Sequence, residues 1–241
     1  MKQGVNVLVV PAIVTAIALG ALEIRTSAQR PAVPTRPDIS GFWELAPDGR
    51  HVPAASLAPA FTPAMREAAA KRDAKAVRWC NIIGIPAAMD TGRPIDIRQN
   101  AGEVVLAFEA NAAPRHIYLN RGAHVPTEEF DPTTNGDSIG RWDGDTLVVD
   151  TVGFDPAKGL TAIPGGGFRQ EKAHLVERYR LLDGGRVLSV TFTWDDPTVF
   201  VGPHTYEFRY FRLSKDYEAR PAPPCDPFND ERTRFLEAQS S

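Results

Sequence analysis

From Ile95 to Leu213 the chain alternates short apolar-rich runs with glycine-containing turn segments, and that rhythm points to antiparallel sheet. Val187–Trp194 shows it most clearly. Leu188, Val190, Phe192 and Trp194 alternate with Val187, Ser189, Thr191 and Thr193, the period of a strand with one buried and one wetted face. Ile95–Gln99 and Glu103–Glu109 flank Asn100-Ala101-Gly102, and His174–Leu181 and Val187–Trp194 flank Asp183-Gly184-Gly185. Ser138–Trp142 and Thr146–Phe154 flank Asp143-Gly144, a dipeptide suited to the positive φ angles of a two-residue hairpin loop. Arg115–Asn120 and Thr205–Leu213 supply two more strands, while 125–135 and 155–167 read as functional or capping loops.

One helix interrupts the pattern, between Phe61 and Ala76. Thr62 is a natural N-cap and Pro63 suits the first helical position. Successive hairpins with a single early helix predict a mainly β fold: an antiparallel up-and-down barrel of lipocalin-like type with one short N-terminal helix. Closing a meander on itself also removes its exposed edges.

Residues 1–28 read as a signal peptide. Lys2 precedes an apolar run from Val5 to Leu22, and Thr26-Ser27-Ala28 offers small residues for cleavage after Ala28. The alternative is an uncleaved membrane anchor, which Pro11 and Gly20 would interrupt. Residues 29–37, with Pro31, Pro34 and Pro37, form an extended linker, and 38–241 form a single barrel domain starting at Asp38–Trp43. The expected location is periplasmic or secreted. There, Cys80 and Cys225 either bridge, closing a loop of about 145 residues and contributing about 4–5 kcal/mol in the chain-entropy model, or stay separate thiols. A formal charge of -3 and a pI near 6.0 give no electrostatic case for nucleic acid. Membrane contact is expected only through an uncleaved leader.

Hairpin pairing assigns faces. With Asp183-Gly184 as the turn, Tyr179 pairs with Leu188, Glu177 with Val190 and Leu175 with Phe192, so Glu177 lies on the apolar face as a buried carboxylate. With Asp143-Gly144 as the turn, Asp137 falls opposite Asp150, with Arg141 on the same face. Facing carboxylates repel unless a cation intervenes or one holds a proton. The pair is therefore either an acid/base couple tuned by Arg141 or a structural ion network. His116, mid-strand, is a candidate general base or charge-stabilising group. Tyr206, Phe208 and Tyr210 share a strand face, and with Trp142 and Tyr179 they are candidate walls of an apolar ligand pocket. The five histidines show no ligand spacing, so no metal and no other cofactor is expected. Ser138 in Gly-Asp-Ser enters a strand rather than a strand-to-helix elbow, and Gly165-Gly166-Gly167 lacks the lysine of a phosphate loop.

The segment Gly140–Phe154, GRWDGDTLVVDTVGF, resembles a large, mostly uncharacterised family of exported bacterial β-rich proteins carrying a GRWxGDTLVVDTxGF motif. The likeness extends to Asp38–Trp43, the Cys80 loop with Gly84 and Pro86, and His174–Tyr179. The resemblance implies histidine in relatives where this chain has Asp137 and again near Arg169, and hence an altered role here. Three function classes follow from the residues. The first is an exported barrel that binds a small, largely apolar molecule internally. The second is a cofactor-independent lyase, isomerase or cyclase that uses interior carboxylates (Asp137, Asp150, Glu177). The third is a cell-envelope structural module.

Overall fold

The computed structural model describes residues 36–50, 60–71, 82–126, 128–155, 162–163, 167–168 and 172–220. The expected leader, most of the linker and both cysteines lie outside the described residues.

The described elements in chain order are β1 (Gly41–Arg50), α1 (Pro63–Ala70), β2 (Ile95–Gln99), β3 (Glu103–Phe108), β4 (Arg115–Tyr118), β5 (Asp137–Asp143), β6 (Thr146–Val152), β7 (Ala162–Ile163), β8 (Gly167–Phe168), β9 (His174–Leu182), β10 (Val187–Asp195) and β11 (His204–Arg212). Nine of these strands close a barrel in the order β1-β11-β10-β9-β6-β5-β4-β3-β2. β7 and β8 form a separate two-stranded ribbon within the stretch read as a loop. α1 starts as its sequence demands: the Thr62 hydroxyl accepts the Met65 N–H at 3.2 Å, and Met65 turns into the core.

The barrel is mainly antiparallel, as expected, with one departure. β4 and β5 run parallel, joined by only two register pairs, Ile117↔Ser138 and Tyr118↔Ile139. Parallel neighbours need a crossover, because the chain must return to the starting end before it can run alongside. Residues 119–136 make that return, and turn chemistry at the strand ends carries no sign of it. β1 is a second strand that the periodicity did not announce; it closes the barrel between β2 and β11.

Both hairpin registers differ from expectation by two residues, one because the loop moves along the chain and the other because it lengthens. The β5–β6 loop is Gly144-Asp145, with Gly144 at φ 60° in the first loop position, so Asp143 pairs with Thr146 and Asp137 with Val152. The β9–β10 loop takes four residues, 183–186, so Glu177 pairs with Phe192 and Tyr179 with Val190. A shift of two preserves faces. Glu177, Tyr179, Leu188, Val190 and Phe192 therefore all point inward, and all are at most 1% exposed.

The interior is filled with large side chains. Trp43, Trp194, Tyr206, Tyr210, Phe192 and Phe208 are at most 1% exposed, with ring centroids of Phe192 and Tyr206 5.0 Å apart. Met89, in a short 3-10 turn at Ala87–Asp90, reaches in among them: its carbonyl accepts the Tyr210 hydroxyl at 2.9 Å and its sulfur the Tyr179 hydroxyl at 3.8 Å. The Arg212 guanidinium lies 4.1 Å from the Trp43 ring centroid, a cation–π contact beside the β1–β11 seam.

Candidate functional site

Two polar clusters lie back to back across the β5–β6 wall, because successive residues of a strand face opposite sides. Ser138 and Thr151 point inward. Their chain neighbours Asp137 and Asp150 point outward.

The inner cluster centres on Arg115, which β4 turns into the barrel. Its guanidinium holds Glu177 by two bonds, NH1 to Oε1 at 2.9 Å and NH2 to Oε2. It also donates to the Ser138 hydroxyl at 3.1 and 3.2 Å, to Thr151 Oγ1 at 2.9 Å and to Tyr179 OH at 3.3 Å. Tyr179 in turn donates to Glu177 Oε1 at 2.8 Å, and the Ser138 and Thr151 hydroxyls are 3.0 Å apart. Burial works against the Arg115 charge, but Glu177 more than offsets it, and the guanidinium's pKa moves upward. Burial, with the Glu177 charge beside it, pushes the Tyr179 hydroxyl well above its usual value, so it stays a donor. Arg115 and Glu177 are 1% and 0% exposed. This cluster is sealed and satisfied.

The outer cluster is built by the crossover. The described residues of this crossover, 119–126 and 128–136, lay Arg121, His124 and Val125 over β5 and β6. Gly136, at φ 67°, then turns the chain into β5; a side chain there would meet the Val152 carbonyl at 2.5 Å. Asp137, 5% exposed, accepts Arg121 NH2 at 2.6 Å on one oxygen, and the Val125 N–H at 3.1 Å and His124 Nδ1 at 2.9 Å on the other. His124 Nε2 lies 2.8 Å from Asp150 Oδ1, and His174 Nε2 lies 2.9 Å from Asp150 Oδ2. The chain of contacts runs Arg121, Asp137, His124, Asp150, His174, from a buried carboxylate to a histidine that is 40% exposed. His174 Nδ1 has no hydrogen-bond partner among the described residues.

Protonation follows from this geometry. Burial raises the Asp137 carboxyl's pKa, but hydrogen bonds from His124, Arg121 and the Val125 N–H, with the Arg121 charge, outweigh it, and the net direction is down. Asp150 behaves alike: burial raises it, and the bonds and charges of His124 and His174 carry it below its ordinary value. Both carboxyls are therefore acceptors toward the rings of His124 and His174. His174 turns Nε2 to Asp150, which leaves Nδ1 as the ring nitrogen facing away from the relay.

These placements correct several expectations. Asp137 and Asp150 are not interior and do not face each other; His124 stands between them, and only Glu177 of the three carboxylates is inside. Arg141, on the same outer face, points into solvent and lies 3.9 Å from Asp143 rather than by either carboxylate. His116 alternates with Arg115 and so faces outward, half exposed, 3.0 Å from Glu103. Tyr179, Tyr206, Phe208 and Tyr210 do line the interior, packed to 1% exposure or less, and Trp142 is partly buried against the same core. Four residues escaped the sequence reading: Arg115, Arg121, His124 and the base-like His174. His174 lies on the outer face, and its partner depends on the register of β6 against β9, which no local signal announces. Among the described residues no group of three or more His, Cys, Asp or Glu side chains is placed to hold a metal ion.

Comparison with known proteins adds no assignment: no protein-family model matches the chain, and no curated protein sequence does.

Proposed function

We propose that this barrel is a cofactor-independent acid/base enzyme of lyase, isomerase or cyclase type, exported and acting on a small, largely apolar molecule at the outer wall of β5, β6 and β9. The observation that carries the reading is the Asp150–His174 dyad, with Nδ1 unpartnered among the described residues. A carboxylate on one ring nitrogen fixes the tautomer and stabilises the imidazolium that forms when the other nitrogen takes a proton. In this mechanism His174 Nδ1 removes a proton from the substrate and returns it at another atom. Asp150 orients the ring. His124 anchors Asp150 through its other oxygen. Asp137 and Arg121 hold His124 in place. Val176, flanking Asp150 across the β6–β9 pairing, gives the substrate an apolar floor. The resemblance of Gly140–Phe154 to the GRWxGDTLVVDTxGF motif is compatible with this reading, since that segment spans the β5–β6 hairpin and supplies Asp150.

The internal-container reading has less support, because the inward rings of Phe192, Tyr206 and Phe208 pack against one another. A structural module needs neither cluster.

The test is a probe that any well-placed base will open, 5-nitrobenzisoxazole, whose C–H is removed as its N–O bond breaks. The His174→Gln variant keeps a donor toward Asp150 and removes the base. We expect the wild-type protein to turn the probe over at least about tenfold faster than this variant, within the usual range for a general base. Equal rates would remove His174 from the role.

A further inference from the structure

We infer that Arg115, from inside the barrel, is the positioning residue for the outer relay: it locks the β5–β6 register in which an imidazole fits between Asp137 and Asp150. The inference rests on the acid/base reading for its functional meaning, though not for its geometry.

Local sequence leaves this register open. Asp143-Gly144 and Gly144-Asp145 are both acceptable two-residue loops, and the two choices differ by a slip of two residues that preserves every face. In the slipped hairpin Asp137 would stand directly opposite Asp150, with Cβ atoms about 4.5–5.5 Å apart. Two carboxylates at that spacing leave no room for a ring that bonds both. In the observed hairpin Asp137 pairs with Val152 and Asp150 with Ile139, so the carboxylates are diagonal neighbours. Diagonal Cβ atoms stand up to about 7–8 Å apart, enough to seat His124 at 2.9 and 2.8 Å from their oxygens.

What distinguishes the two registers lies on the other face of the wall. Ser138 and Thr151, each one residue after a relay carboxylate, are direct partners only in the observed register. Arg115 NH2 bonds both hydroxyls while the same guanidinium grips Glu177 on β9. The slip would put Ser138 opposite Val149 and break the clasp. Arg115 also spans the parallel β4–β5 seam, which has only two register pairs of its own. The strand that supplies the clasp thus leads directly into the crossover that supplies His124.

The experiment reads histidine nitrogens by 15N NMR in the full-length protein, independently of turnover. Three constructions share the readout: Arg115→Met with Glu177→Met, which strands no charge; Ser138→Ala with Thr151→Val, which leaves the ion pair intact; and Arg115→Lys. We expect the wild-type protein to show both His124 ring nitrogens engaged in hydrogen bonds. Whichever of the first two variants retains a cooperative melt should lose that signature and turn over 5-nitrobenzisoxazole at least tenfold more slowly. Arg115→Lys should recover part of both. A folded variant of either kind with the wild-type His124 signature overturns the inference, and so does loss of the signature in Arg115→Lys to the same extent as in the methionine pair. If His174→Gln leaves the probe rate unchanged, the acid/base reading fails alone, because the His124 signature still decides the register.

Discussion

The inner and outer faces of the β5–β6 wall use the same kinds of groups to opposite ends. Inside, Arg115 spends its donors on Glu177, Ser138, Thr151 and Tyr179, and no member meets water. Outside, the chain from Asp137 to His174 ends in a ring nitrogen without a partner among the described residues, on a half-exposed side chain. A sealed ion pair contributes little net stability over apolar packing, but breaking it is costly, because the charge left behind has no solvent to turn to. Asp150 and His174 can be altered more cheaply, since water reaches them. The difference separates a cluster that specifies structure from one that is free to react.

Four measurements can break or sharpen that contrast. The largest effect is expected from Arg115→Ala or Glu177→Ala, each stranding a buried charge and costing about 3–5 kcal/mol in urea unfolding. The methionine double variant should recover most of that, and a single-variant loss below about 1 kcal/mol would mean that the interior is wetter than its geometry implies. Next is Asp137→Asn, which weakens charge-assisted bonds from Arg121 and His124 and should cost about 1–3 kcal/mol by the same measurement. Third is pH dependence. Asp137 and Asp150 have folded pKa values below their ordinary value of 3.8, so their contribution is complete above that value and is lost as pH falls through the lower folded ones. Acid titration of stability should be steep for the wild-type chain and flatter for Asp137→Asn or Asp150→Asn; identical slopes would detach the relay from folding. The smallest effects belong to Arg141→Ala and His116→Ala. Both side chains are solvent-facing with exposed partners, so melting temperature and probe turnover should match the wild-type chain.

Much of the barrel was legible because burial on one side of a strand leaves a period-two trace. The barrel strands from Ile95 to Arg212 were found within one or two residues of their ends, β7 and β8 were not, and Glu177 was correctly turned inward from parity alone. Loop length was harder. A glycine with positive φ fits either position of a two-residue loop, and three consecutive residues at Asp183, Gly184 and Gly185 take positive φ, which lengthens that turn. The site was less legible. His124 sits in an irregular crossover with no periodic signature, and His174 lies 50 positions along the chain from it. Their meeting at Asp150 depends on one parallel strand pair and on the β6–β9 pairing.

Alternation and turn residues, which act over a few positions, were enough to specify strands, their two faces and a barrel. Which strands became neighbours, and in what register, was settled by contacts between distant residues: Arg115 with Glu177 and Thr151 inside, His124 with Asp137 and Asp150 outside. A side chain's face is a local property of the backbone, since adjacent residues must point opposite ways. Its partner is a property of the whole fold, because the energy that selects it comes from groups brought together only after the chain has closed.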